Sequence, residues 1–146
     1  MSGRAPGQEG WDIMLATENP VRDHEDRKVA LHVNFDDPER LNYVLNNAEN
    51  IYQYYHQQGK KIEIRIIAHG PGLHMLRQDT SPVKERIAGM AAAQEGLGFY
   101  ACTNTQEKMA KAEGKKPVII DEAKMVLSGI AELIELQRAG WTYIKP

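Results

Sequence analysis

The sequence places its one cysteine, Cys102, between a predicted strand and a run of polar residues that favours the start of a helix. The strand covers 97–102, and Thr103, Asn104 and Thr105 follow it. A thiol just before a helix N-terminus lies near the positive end of the helix dipole and near free backbone N–H groups, both of which stabilise the thiolate. The spacing therefore allows Cys102 to act as a nucleophile. A buried cysteine that only completes the strand fits the same spacing, because free cysteine is among the most buried residue types.

Further polar residues follow two other predicted strands. His69 and Gly70 come directly after one apolar run, and Asn34 follows an earlier one. The imidazole of His69 could orient a ligand or share a proton with a thiol, and a structural histidine satisfied by backbone groups is the alternative. The turn 70–72 can present N–H groups to an anion. It is not a dinucleotide-binding fingerprint, because Met75 occupies the position of the third glycine.

Several other site chemistries lack their residues in the sequence. The five histidines match no standard zinc spacing, and a single thiol provides neither a cysteine pair for zinc nor a resolving cysteine for dithiol redox catalysis. The G-x-S-x-G elbow and the phosphate-binding lysine motif are also absent. Asp36 and Asp37 are better explained as a helix cap beside Pro38 than as a catalytic pair. We therefore expect no metal site and no cofactor.

The spacing of apolar residues predicts the elements that position these side chains. Strands are predicted at 29–33, 62–68, 97–102, 118–120 and 141–144. Helices are predicted between them, with N-terminal signals at Asp37-Pro38, Ser81-Pro82, 103–105 and Ser128, and with C-terminal glycines at Gly59, Gly96, Gly114 and Gly140. The order is β-α-β-α-β-α-β-α-β. It implies right-handed crossovers and a mostly parallel sheet with helices on both faces, in which ligands bind at the carboxyl ends of the strands.

Three details of this pattern can be compared directly with a structure. Glu63 and Arg65 alternate with isoleucines, which predicts that the second strand has one polar face and lies near a sheet edge or at an oligomer contact. Gln106 or Glu107 could complete a capping box for the third helix. In the fourth helix, the residues expected to face inward are Ile130, Leu133 and Ile134.

Composition indicates one globular domain behind an N-terminal extension. The 146 residues are 42% apolar and 26% charged, which is typical of a single domain. We assign 28–146 to that domain and 1–27 to an extension that is partly disordered or packs on the core or on a neighbouring subunit. The apolar residues of the extension that favour packing are Trp11, Ile13, Met14 and Leu15.

Charge and hydropathy limit the classes of partner. The formal net charge is −2, so no basic surplus favours nucleic acid. The longest apolar runs have four residues, far short of the roughly 18 that span a bilayer, so we expect no membrane contact. The cytoplasm is the default location, with the periplasm as the alternative if a natural signal peptide has been replaced.

Four segments together resemble a known family. They are residues 28–33 (KVALHV), 66–73 (IIAHGPGL), 99–105 (FYACTNT) and 137–144 (QRAGWTYI), and in this order and spacing they are similar to the DsrE/DsrF-like proteins. The resemblance implies a three-layer α/β/α sandwich with a mostly parallel five-stranded sheet. It also implies assembly into homo-oligomers, as trimers or hexamers.

The resemblance further implies a sulfur carrier. Better-known relatives hold sulfane sulfur as a persulfide on a cysteine after the third strand, the position of Cys102, and hand it between donor and acceptor proteins. His69, Gly70, Asn34, Asn104 and Thr105 are then the expected ligand-binding neighbours. The polar residues after Cys102 differ from the sulfur-relay subgroup, which has small apolar residues and an Arg-Gly pair there. The alternative is an oligomeric ligand-binding or structural protein of the same fold with a buried, unreactive cysteine.

Overall fold

The computed structural model describes residues 25–146, which form five strands, four α-helices and one 3-10 helix. The strands are β1 (Arg27–Val33), β2 (Ile62–Ala68), β3 (Leu97–Cys102), β4 (Ala123–Val126) and β5 (Thr142–Ile144). The α-helices are α1 (Pro38–Gln57), α2 (Lys84–Ala93), α3 (Thr103–Glu113) and α4 (Gly129–Arg138), and the 3-10 helix Gly70–Leu76 follows β2. The predicted alternation of strands and helices is confirmed.

The strands form one sheet in the order β4-β3-β2-β1-β5, and every pairing is parallel. The carboxyl ends of all five strands therefore meet at one edge of the sheet. This arrangement confirms the predicted α/β fold class. No helix in residues 25–146 is long and apolar enough to cross a membrane.

The larger core lies on one face of the sheet. There α1, α2 and the 3-10 helix pack on alternate strand residues such as Leu31, Ile64 and Phe99. Helix α1 begins as predicted, because the Asp37 carboxylate accepts a hydrogen bond from the Glu39 N–H at 3.0 Å and Pro38 needs no partner for its nitrogen.

Helix α4 packs on the opposite face. Leu133 and Leu136 pack there with Trp141, Ala30 and Ile67 in a smaller apolar cluster. Helix α4 contacts β1, β2 and β3 in the middle of the sheet. Its N-terminus and the strand residues beneath it form part of the site described below.

The second strand corrects the expectation of an edge position, because β2 is the central strand. Its polar face is covered rather than left at an edge. The Arg65 guanidinium lies over the rings of Tyr100 and Trp141, at 5.2 and 4.7 Å, and reaches Glu132 of α4 at 3.7 Å. Arginine stacks well on aromatic rings. A strand whose side chains alternate between polar and apolar can therefore lie in the centre of the sheet, with a neighbouring strand on each side.

The fourth strand was predicted in the wrong place. Residues 118–120 form only an isolated antiparallel bridge, between Ile119 and Arg77, and the strand follows at β4. The apolar run at 118–120 reflects burial of Ile120 under the 3-10 helix, where its N–H donates to Leu76 O at 2.9 Å.

Two helices also differ from the prediction. Helix α2 begins at Lys84 because the Ser81 hydroxyl accepts from the Val83 N–H at 3.2 Å in a turn that precedes the helix. In α4, Leu133 faces inward as predicted, but Ile130 and Ile134 are more than half exposed, and Leu136 is the second buried residue. The Trp11 to Leu15 segment lies outside the described residues.

Candidate functional site

The side chains of His69 and Cys102 meet at the carboxyl ends of two neighbouring strands. Ala68 of β2 pairs with Ala101 of β3, so the next residue on each strand stands beside the other. Both side chains lie under the start of α4. A Cβ placed on Gly129 would come within 2.9 Å of His69 Cβ and 3.4 Å of Cys102 Cβ. A glycine at the first position of α4 therefore lets the helix approach both side chains closely.

Cys102 is the N-cap of helix α3. Its sulfur accepts a hydrogen bond from the Thr105 N–H at 3.4 Å. This corrects the expectation that residues 103–105 cap the helix, because they form its first turn. The expected capping box with Gln106 or Glu107 is also wrong, because the N-cap at Cys102 makes Thr105 the third helical residue, and the buried Gln106 amide donates to Pro117 O at 2.9 Å.

Thr105 connects the helix to the turn after β2. Its hydroxyl oxygen accepts a hydrogen bond from the Gly70 N–H at 2.9 Å, which leaves the hydroxyl proton available to the Cys102 sulfur. The conformation of Gly70 requires this residue type, because its φ is +57°. The turn, the helix and the thiol thus form one hydrogen-bonded unit.

Helix α3 is held in place from its far end as well. The buried Arg77, after the 3-10 helix, donates to Glu113 through both terminal nitrogens, at 2.7 and 3.0 Å, and also binds Asp79. A bidentate pair of this kind fixes orientation as well as distance. It therefore helps to keep the N-terminus of α3 at the sulfur.

The surroundings of Cys102 favour its thiolate form. Burial by itself raises the pKa of the thiol. Hydrogen bonds from the Thr105 side chain and from the backbone N–H groups of Gly129, Thr105 and Asn104 outweigh burial, so the net pKa is lowered. The N-termini of two helices thus point at one sulfur atom.

A chain of three polar side chains leads away from this pair. The Nε2 atoms of His69 and His32 are 2.7 Å apart, and the Nδ1 atom of His32 lies 2.7 Å from the Tyr143 hydroxyl. The two imidazole rings are stacked with centroids 4.8 Å apart. His32 is buried on β1, whereas Tyr143 on the edge strand β5 is 38% exposed.

Both histidines are kept neutral by their environment. Burial, the neighbouring His69 and the positive charge of Lys145 lower the pKa of His32 to about 4. Burial and Lys145 also lower the pKa of His69. The Nε2 atoms of the two neutral imidazoles face each other, so only one of them carries a proton. That nitrogen donates the hydrogen bond and the other accepts it.

Comparison with known proteins identifies the fold. Residues 27–146 match the DsrE/DsrF-like family. The chain belongs to this family. A similar solved structure is the protein of unknown function MTH1491 from Methanobacterium thermoautotrophicum, with 26% sequence identity and a TM-score of 0.69, covering 83% of this chain and 100% of that one. No curated protein matches the sequence.

Within this DsrE/DsrF-like fold, the predicted site residues have different positions. Cys102, His69, Gly70 and Thr105 form the unit described above. Asn104 contributes its backbone N–H while its side chain is exposed.

The remaining predicted residue, Asn34, is half-buried, and its backbone lies against Gly72. The close packing there is with the turn rather than with the thiol. Among residues 25–146, no group of three or more histidine, cysteine, aspartate or glutamate side chains is arranged to bind a metal ion.

Sequence reasoning missed three residues of this candidate site, namely His32, Tyr143 and Gly129. The position of His32 carried a signal, because it is a polar residue in an otherwise buried strand and alternates with Leu31 and Val33 of the main core. Such a buried polar group needs a partner. Its partner Tyr143 lies 111 positions away, a distance that no local pattern spans.

Proposed function

We propose that this protein is a sulfur carrier that holds sulfane sulfur as a persulfide on Cys102. The observation that carries the proposal is the sulfur of Cys102 at the start of α3, where it accepts the Thr105 N–H and has a lowered pKa. The thiolate is the nucleophilic form of cysteine. Membership of the DsrE/DsrF-like family, which is associated with sulfur relay, supports the same chemistry.

The proposed cycle needs no oxidant or reductant besides the sulfur donor. The Cys102 thiolate attacks the outer sulfur of a donor persulfide, R–S–SH, and the donor S–S bond breaks. The leaving thiolate R–S⁻ takes up a proton, and Cys102 becomes Cys–S–SH. An acceptor thiolate then attacks the outer sulfur, which leaves with the acceptor as a new persulfide and restores the Cys102 thiolate.

One observation favours a second candidate function. Cys102 is only 4% exposed, which suits a ligand-binding or structural protein whose cysteine is a small buried apolar residue. The carrier needs a donor to reach the sulfur, whereas the alternative does not. Thiol accessibility in the folded protein therefore separates the two functions.

Intact-protein mass spectrometry tests the carrier function. The chain is incubated with a low-molecular-weight persulfide and then with reductant, beside the variant Cys102→Ser. We expect wild type to gain one sulfur atom that reductant removes, because the thiolate is stabilised, and we expect no gain in the variant. Labelling of folded and denatured protein with iodoacetamide is measured in parallel to report accessibility.

The same measurements can reject the proposal. A folded protein that iodoacetamide labels, but that gains no sulfur, is not a persulfide carrier. A protein that is labelled only after denaturation has a closed thiol and fits the alternative function. A gain of sulfur that persists in Cys102→Ser would show adventitious modification at another residue.

A further inference from the structure

The chain of hydrogen bonds from Tyr143 to His69 connects the buried thiol site with the protein surface. Its outer end is the hydroxyl of Tyr143, a residue that is 38% exposed on the edge strand, its middle is a buried imidazole, and its inner end lies beside Cys102. Each link is 2.7 Å long, which is a short hydrogen bond. The four side chains come from four strand ends that the parallel sheet brings to the same edge.

The chemistry of the links permits two arrangements of protons. In the first, Tyr143 donates to His32 Nδ1, His32 Nε2–H donates to His69 Nε2, and His69 carries its proton on Nδ1. In the second, every donor and acceptor is reversed, and His69 Nδ1 holds a lone pair. No residue in the described part of the chain hydrogen-bonds to His69 Nδ1. This nitrogen is bonded to Cγ, which lies against Gly129 together with the Cys102 side chain.

We propose that Tyr143, His32 and His69 form a proton path between the Cys102 thiol and the solvent. The inference deepens the proposed function, because a buried thiol must lose its proton before it can attack a sulfur donor. It assigns two residues, His32 and Tyr143, that act on the thiol only through His69. They are positioning residues in that sense.

The path moves one proton to solvent, which leaves the negative charge of the thiolate on Cys102 and the three relay residues neutral. In the proposed step the Cys102 thiol turns towards His69 Nδ1, to which no hydrogen bond joins it in the structure. The S–H bond then breaks and its proton bonds to His69 Nδ1, while the Nε2 proton of His69 moves to His32 Nε2. The Nδ1 proton of His32 moves to the Tyr143 oxygen, and the phenolic proton leaves to solvent. The second arrangement has become the first, and His69 now carries its proton on Nδ1.

The charges around the path favour passing a proton along the two imidazoles over holding an extra proton on either of them. Burial and Lys145 lower the pKa of both imidazoles, and His69 lowers that of His32 as well, so each of these influences disfavours an extra positive charge. An imidazolium at either position is therefore a transient form. A neutral pair that changes its tautomers together can pass a proton without holding it.

Nitrogen NMR of the histidine rings tests the path directly, because protonated and unprotonated ring nitrogens have distinct chemical shifts. The full chain is labelled with ¹⁵N and titrated with base, and the pH dependence of iodoacetamide labelling gives the apparent pKa of Cys102 independently. We expect His32 and His69 to exchange tautomers together at that pKa. Within the described residues, His56 and His74 are internal controls whose signals should not follow it.

Two variants sharpen the result. Cys102→Ser should abolish the joint tautomer change in that pH range, because no thiol proton enters the path. Tyr143→Phe removes the outer hydroxyl and should lock His32 with its proton on Nε2, since an unpaired buried N–H on Nδ1 is costly. Tyr43→Phe is the matched control, because Tyr43 is an exposed tyrosine on α1.

The path and the carrier function can fail separately. Persulfide formation with unchanged histidine tautomers would overturn the path and leave the carrier. A joint tautomer change without any gain of sulfur would support the path and reject the carrier. A Cys102 that stays protonated up to the pH at which the protein unfolds would give the path no proton to carry and would also overturn it.

Discussion

His32 is the residue whose burial has the clearest thermodynamic consequence. Its pKa is lowered to about 4 in the folded protein, from an ordinary value of 6.5. Between pH 4 and 6.5 the His32 imidazole is largely protonated in the unfolded chain and largely neutral in the folded chain, so lowering the pH favours unfolding. The stability lost as the pH falls through this window is up to about 3 kcal/mol, by the usual conversion of a pKa difference.

A neutral replacement should remove this acid sensitivity. We expect His32→Gln to lower the free energy of unfolding at pH 7.5 by roughly 1–3 kcal/mol, because it leaves the partner imidazole poorly paired. The further loss between pH 6.5 and 4 should be smaller than in wild type. Urea unfolding at several pH values measures both quantities. His56→Gln is the control, since that histidine is exposed. If the free energy of unfolding of His32→Gln fell with pH as steeply as that of wild type, His32 would not be the source of the acid sensitivity.

Single residues were predicted from sequence where the signal was local. Cys102 and His69 follow apolar strands, so their place at the carboxyl edge could be read from spacing. The residues that complete the site could not, because Tyr143 reaches His32 only through the pairing of β5 with β1. The role of Gly129 depends on how closely α4 approaches the sheet, which sequence spacing does not contain.

At the scale of elements, the strongest local signals gave the most accurate predictions. Strand β3 and helix α1 follow their predicted limits, because continuous apolar runs and a capping aspartate define them. The edge strand β4 was missed, because it contains Lys124 and is only partly buried, while the more apolar run before it packs against a loop. Edge strands are short and poorly patterned, and pairing decides where they lie.

The approach of α4 to the site depends on its first residue. We expect Gly129→Ala to lower the free energy of unfolding by roughly 1–3 kcal/mol, because the new Cβ would stand 2.9 Å from His69 Cβ and force the helix or the turn to shift. Gly89→Ala in α2 is the matched control. A Cβ there meets nothing within 4 Å, so we expect a gain of about 0.5–1 kcal/mol from helix propensity.

Chemical denaturation of the two glycine variants measures both changes. Equal effects of the two substitutions would mean that α4 can move away from the sheet at little cost. The thiol reactivity of Gly129→Ala provides a second measure, because a displaced helix takes its N–H away from the Cys102 sulfur. Labelling by iodoacetamide should then need a higher pH than in wild type.

For the whole molecule, the described residues leave apolar surface exposed in two places where copies of the chain could meet. Sequence reasoning expected association through the second strand, the Trp11 to Leu15 segment and the end of the chain. In the structure, β2 is central and Trp141 is buried, but Tyr143 and Ile144 on the edge strand β5 are 38% and 39% exposed. An apolar stripe just before α4 and on its outer side is exposed as well. The stripe consists of Leu127, Ile130 and Ile134, which are 76%, 53% and 52% exposed.

We propose that the chain forms a homo-oligomer, a trimer or a hexamer, in which this stripe is covered by another copy. Ile130 and Ile134 stand one turn apart on α4, and Leu127 lies just before its N-cap Ser128, so three exposed apolar side chains are close in sequence at this end of the helix, and such patches mark contact sites. Sedimentation of wild type at micromolar concentration should therefore show an oligomer. Ile134→Glu should shift the protein towards the monomer, because a carboxylate would lose its water in the interface. Val118→Glu, at an equally exposed position away from α4, should sediment as wild type, and a monomeric wild type would contradict the proposal.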